Sequence, residues 1–259
     1  MKEYARGKVE VPVAWIAIYA AIIVVAQFIP LFPYVGGGGF VPLSLGFFAM
    51  APLLLGPSGI VAAFIAAAAG LFVIPLNYWL GFIDIFNFFM PAVIAALLVN
   101  CDRYWKITIP VYLAFYITAY VFPYYVPGPS AGFDNPPQPL WTILTGIFYI
   151  PWIVVATTPI GTKYLPGWVR SQNRKKRYAG ILITYVGSLF VYYAMWNPPY
   201  AYAYHFPVAL AVACLFAYLW YWPVLGLVIT GITIPILETL ERSGFPRPSG
   251  AIWGGNGNN

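Results

Sequence analysis

Residues 30–75 read PLFPYVGGGGFVPLSLGFFAMAPLLLGPSGIVAAFIAAAAGLFVIP, and the fold turns on how this stretch is divided. A proline-punctuated turn leads into four glycines, Gly36 to Gly39, and then into a short apolar run over 43–55. Gly56-Pro57-Ser58-Gly59 interrupts that run, and an alanine-rich segment follows over 60–74. Glycine admits backbone conformations that other residues avoid, while proline fixes φ and removes a donor. Breakers placed this way cut one apolar region into two helices joined by a tight turn and entered through a glycine loop. The first of the two is unusually short for a membrane crossing.

Composition gives the setting for this pair. Of the 259 residues, 61% are hydrophobic and 8% charged, with a mean hydropathy of +0.78. A soluble domain carries about 25% charged residues, so a surface this poor in charge is expected to face lipid. The expectation is an all-α, polytopic protein of the cell membrane with about eight transmembrane helices, over 13–31, 43–55, 60–74, 85–99, 107–122, 141–160, 179–195 and 206–237. The last run exceeds one span; Pro223 or Pro235 either kinks it, ends it or splits it into two half-helices. The basic start and the long run over 13–31 fit a retained first helix better than a cleaved signal peptide.

Lysine and arginine then set the orientation. Lys2, Arg6 and Lys8 precede the first span, Arg103 and Lys106 follow the fourth, and Arg242 and Arg247 follow the last. Lys163, Arg170, Arg174, Lys175, Lys176 and Arg177 follow the sixth. The alternate loops, around Gly36, Asn77, Pro127 and Tyr200, contain neither residue. Eight crossings place every basic cluster on one side, which makes both termini cytoplasmic. The net charge of +6 is therefore topological, with contacts to membrane lipid headgroups, and no nucleic-acid partner is expected. The basic segment 163–178 separates an earlier block, 1–162, from a final helix pair, 179–242. Residues 243–259 end in a Gly/Asn run and are expected to form a flexible tail. Cys101 and Cys214 fit no metal spacing, and their state is left open.

No catalytic machinery is legible, and no enzymatic activity or cofactor is expected. The single histidine, His205, excludes a histidine-pair metal site, and neither a P-loop nor a Gly-x-Ser-x-Gly elbow is present. Asp102 is read as a surface partner of Arg103, and Glu238 as the i,i+4 partner of Arg242. The outer side carries more. Asp84 and Asn87 lie one turn apart at an outer helix end, where Asp84 either complements the helix dipole or contacts a ligand. Tyr124, Asn135 and Trp141 in or beside the long outer loop, and Tyr204 in the last one, offer polar and aromatic contacts. They act either as interfacial anchors or as walls of a pocket. With Gly37 and Gly38 as its flexible lid, this set is the expected binding site for a small-molecule substrate.

The tract over 30–75 resembles the membrane-embedded, substrate-binding S component of energy-coupling factor transporters. The matching residues are Leu43-Ser44-Leu45-Gly46, Leu53-Leu54-Leu55-Gly56-Pro57-Ser58-Gly59, and Ala62-Ala63 through to Gly70. That family has six helices, so the resemblance implies an S-component-like six-helix block followed by a C-terminal helix pair. It further implies capture of a vitamin-like micronutrient on the outer face, working with a transmembrane coupling subunit and cytoplasmic ATPases. The family's first helix meets the coupling subunit through small residues four apart, a spacing shown by Ala17 with Ala21; Ala62 with Ala66 repeats it. The rival expectation is a non-transporting accessory subunit of a larger membrane complex.

Overall fold

A computed structural model describes residues 13–35, 38–125, 150–203, 208–245 and 247–253. The chain is almost entirely helical. Helices α1 (Val13–Ala26), α2 (Ser44–Leu55), α3 (Ser58–Val73), α4 (Phe82–Val99) and α5 (Cys101–Tyr125) come first. They are followed by α6, described over 150–157, and then by α7 (Leu165–Val169), α8 (Arg174–Ala203) and α9 (Val208–Arg242). Two helical segments, Phe82–Val99 and Val212–Arg242, are long and apolar enough to cross a membrane; α1, α2 and α3 are shorter and apolar.

Helix α2 is the axle. Eleven of its twelve residues are buried, and it packs against α1, α3, α4, α8 and α9. A helix that is apolar all round has no face to give to a surface. Helix α3 shows the opposite division. Gly59, Ala62, Ala63, Ala66, Ala67 and Gly70 form its buried stripe, while Phe64, Ile65 and Phe72 point outward. Small residues inside and large ones outside let helix backbones approach closely, which suits packing in lipid. Ala62 and Ala66 thus lie in an internal seam. Ala17 and Ala21 face outward on α1, whose buried side is Tyr19, Ala20, Ile23 and Ala26.

Several boundaries differ from the sequence expectation, each for a local reason. The first span was expected to reach Leu31, but α1 ends at Ala26 and Leu31 lies in a short strand. Strand β1 (Pro30–Pro33) pairs antiparallel with β2 (Phe40–Pro42), forming a β-hairpin among the helices, with Gly38 and Gly39 leading into its second strand. Helix α8 begins at Arg174, inside the stretch expected to be a loop. Asn173 caps it, its Oδ1 accepting from the backbone N–H groups of Lys175 (3.0 Å) and Lys176 (3.3 Å). The final apolar run is one helix, α9, continuous through both Pro223 and Pro235.

The two ends of the bundle are chemically distinct. At one end Arg177 makes a two-pronged bond to Glu241 (2.6 and 3.0 Å), and Arg174 pairs with Glu238 at 3.2 Å. Arg170 lies against Asp102 (4.0 Å) and donates to Asn100 Oδ1 at 2.6 Å. The expected partners are thereby replaced: Glu238 turns to α8 instead of Arg242, and Asp102 to Arg170 instead of Arg103. Residues 247–253, expected within the flexible tail, also pack here, with Ala251, Ile252 and Trp253 buried. Burial pulls the Arg170 guanidinium pKa down, and nearby Asp102 opposes that shift. Cys101 and Cys214 are both free and buried. Cys101 sits at this basic end, whereas the Cys214 thiol faces the Val35 carbonyl at the other (3.9 Å).

Candidate functional site at the hairpin end

The end opposite the basic one is built around the hairpin. Gly38 takes a φ of +82°, and a Cβ there would stand 2.7 Å from the Trp79 ring. At Gly39 a Cβ would meet the Tyr34 ring at 2.8 Å and Asn77 Oδ1 at 3.3 Å. Glycine is required at both positions, so that the hairpin can lie flat on the segment after α3. Tyr34 and Trp79 meet edge to face at 5.6 Å, and the Trp79 indole donates to the Leu76 carbonyl at 2.8 Å.

A polar clamp fastens α1 to α3 beside it. Gln27 Nε2 donates to the Ala66 carbonyl, and Tyr78 Oη donates to Gln27 Oε1, both at 3.1 Å. Gly70 leaves the room for this pair, since a Cβ there would stand 2.2 Å from both oxygens. Asp84 is fully buried at the start of α4. Its Oδ2 accepts from the Leu80 backbone N–H at 2.7 Å, and its Oδ1 from Asn87 Nδ2 at 2.9 Å. Burial first, and the Asp84 charge second, raise the pKa of the Tyr34 and Tyr78 hydroxyls.

Beneath the hairpin lies a cavity of about 10 Å³, lined by Tyr34, Val41, Leu45, Tyr192, Tyr218 and Trp222. Its far wall is an aromatic stack from α8 and α9. Tyr218 and Trp222 are nearly parallel with centroids 5.0 Å apart, and Tyr192 meets Trp222 edge on at 6.0 Å. Three buried polar groups around this region have no hydrogen-bond partner in the protein: both atoms of the Asn77 carboxamide, the Ser44 hydroxyl and the Trp222 indole N–H. All three residues are at most 2% exposed. Buried polar groups are paired in more than nine cases in ten; of these three, Trp222 lines the cavity, Asn77 abuts Gly39 of the hairpin, and Ser44 directly precedes the lining residue Leu45.

Searches of family models, curated proteins and solved structures return no match to the chain. The site therefore rests on its own geometry.

The residues expected from sequence divide into three groups. Gly38 is at the hairpin tip, and Asp84 and Asn87 are bonded to each other beside it. Tyr124 is the penultimate residue of α5. Gly37, Asn135, Trp141 and Tyr204 lie outside the described residues. Sequence reasoning placed Asn77 on this side but passed over Ser44, Tyr192, Tyr218 and Trp222. The i,i+4 spacing of Tyr218 and Trp222 on one face of α9 was the available signal. Among the described residues, no three His, Cys, Asp or Glu side chains come together as a metal site would require.

Proposed function

We propose that the chain is a multi-pass protein of the cell membrane that captures a small, flat, hydrogen-bonding molecule at its hairpin end. Eight helices cross the membrane, both termini are cytoplasmic, and the hairpin faces outward. The segregation of basic residues to one end supports this orientation. The outward-facing Phe72, Phe82 and Trp220, each more than 70% exposed, suit a lipid-facing surface.

The observation that carries the capture reading is the unpaired Trp222 indole N–H in the wall of an aromatic cavity, with the unpaired Asn77 and Ser44 on the segments that adjoin it. A cavity of this size holds about one water molecule, so a vitamin-like ligand enters only when the hairpin lifts Tyr34 and Val41 off the α8–α9 wall. Aromatic faces then stack on the ligand, and the unpaired groups bond its polar edge. Passage inward follows the S-component resemblance, with a coupling subunit seated on the exposed Ala17/Ala21 face and ATPases supplying energy. An accessory-subunit reading also uses that face, but it leaves the buried unpaired groups unexplained.

Native mass spectrometry of gently purified protein tests the proposal. A bound small molecule is expected, and the same preparation should carry ATPase subunits. Trp222→Phe and Asn77→Ala should each weaken ligand binding roughly five- to thirtyfold, the worth of one or two hydrogen bonds. Unchanged affinity in both variants, with the fold intact, would remove this site.

A further inference from the structure

The charge at the hairpin end is one-sided. Every lysine and arginine after residue 12 falls within 103–106, 163–177 or 242–247, and among the described residues none stands at this end. Asp84 does, and it is fully buried. The Leu80 backbone N–H and the Asn87 carboxamide that bond to it are neutral donors. They hold the carboxylate in place and cancel none of its charge.

Tyr34 links that charge to the cavity under the hairpin. Its ring forms part of the cavity wall. Its hydroxyl feels the Asp84 charge, which adds to burial in raising the hydroxyl pKa. When the hairpin lifts, as capture requires, the Tyr34 ring leaves both neighbours. A ligand that takes its place meets the aromatic wall of Tyr192, Tyr218 and Trp222 together with the field of Asp84.

Electrostatics then decides among ligands. A buried charge is costly unless an opposite charge accompanies it. An anionic ligand meets repulsion from Asp84, with no lysine or arginine among the described residues of this end to offset it. A neutral ligand gains only stacking and hydrogen bonds. A cation gains Asp84 and also the negative faces of the rings, an attraction that strengthens where water is excluded. Aromatic cages recognise quaternary ammonium groups in this way. A small metal ion needs several oxygen ligands at close range, which ring faces do not supply.

We infer that the molecule captured at the hairpin end is a small organic cation, a protonated amine or a quaternary nitrogen heterocycle, seated on the Tyr192, Tyr218 and Trp222 wall with Asp84 as its counter-charge. The inference rests on the capture reading proposed above and adds to it the sign of the ligand's charge.

Three probes built on one ring separate charge from shape: 1-methylnicotinamide is a cation, nicotinamide is neutral and nicotinate is an anion. Equilibrium dialysis of each against the full chain in mild detergent gives the three affinities. The cation should bind at least about twentyfold more tightly than nicotinamide, and nicotinate more weakly than either. In Asp84→Asn the preference for the cation should fall to about two- to fivefold, which the rings alone supply. Should that variant not fold, the wild-type series decides by itself. Equal affinities for the cation and nicotinamide, or tightest binding of nicotinate, overturn the inference and leave capture standing. An unchanged preference in a folded Asp84→Asn protein overturns it too, by removing the counter-charge. Binding of none of the three also defeats it; capture itself then stands or falls on whether native mass spectrometry finds a bound molecule.

Discussion

The Trp253 indole N–H donates to the Leu54 carbonyl at 2.7 Å, joining the end of the described chain to the end of its central helix across 199 residues. The adjacent Ile252 N–H donates to the Leu53 carbonyl at 3.0 Å. The last carbonyls of a helix have no partner within it, and in an apolar setting each needs one. The C-terminal segment thus caps α2. The approach is so close that a Cβ at Gly56, where φ is +60°, would stand 2.1 Å from the Ser249 carbonyl oxygen.

The first prediction follows from that cap. Trp253→Ala should destabilise the protein by about 3–5 kcal/mol through the lost packing of a buried indole. Trp253→Phe, which keeps most of the ring but loses the donor, should cost only about 1 kcal/mol. Unfolding in detergent, followed by circular dichroism, distinguishes the two. Equal small effects would mean that the segment is decoration.

The ion pairs at the basic end should differ in worth. Arg177 is nearly buried and Glu241 partly so. Arg177→Ala should therefore cost about 2–3 kcal/mol, somewhat below the 3–5 of a fully buried pair. Arg174 is 75% exposed, so Arg174→Ala should cost under about 0.5 kcal/mol. Melting temperatures of the two single variants check the ranking.

Gly46 of α2 abuts Ile229 of α9, where a Cβ would fall 2.0 Å from Cγ1 of the isoleucine. Gly46→Ala should cost about 1–3 kcal/mol by overpacking. Adding Ile229→Ala should recover part of that loss, with a coupling of about 0.5–3 kcal/mol in a double-mutant cycle. Strict additivity would show that the helices separate there.

Topology is open to a labelling experiment. Gly132→Cys should react with an impermeant thiol reagent added to intact cells, and Lys175→Cys only after the membrane is opened. Both native cysteines are buried and should stay silent. Labelling of Lys175→Cys in intact cells refutes the proposed orientation.

Alkaline pH should unfasten the hairpin end. Burial raises the folded-state pKa of Tyr34 and Tyr78 above the ordinary 10.0, so their contribution is complete below about pH 10 and is lost as pH rises beyond it. The melting temperature should be flat near neutrality and fall above that point. The fall should be shallower in the Tyr34→Phe, Tyr78→Phe double variant.

Composition and punctuation alone determined the helical class, the short second helix and the separation of basic from neutral loops. Breakers such as Gly56-Pro57 act locally, and charge placement is read along the chain without any knowledge of packing. Asp84 and Asn87 were also legible, because polar residues stand out against apolar runs. Tertiary structure alone decided what those features meet. Glu238 had an i,i+4 partner in the sequence, yet the antiparallel seat of α8 beside α9 gave it Arg174 instead. The hairpin over 30–42 was invisible because its strands are short and rich in proline, and its pairing forms only where α1 and α2 bring the ends together. Trp222, Ser44 and Asn77 are ordinary residues in sequence, and they form a candidate site because α2, α9 and the turn after α3 converge beneath that hairpin. The Gly/Asn-ended tail was expected to be flexible from its composition, but residues 247–253 are held by the orphan carbonyls of α2. No periodicity records such a partner, since the two segments lie 199 residues apart and are matched only in space.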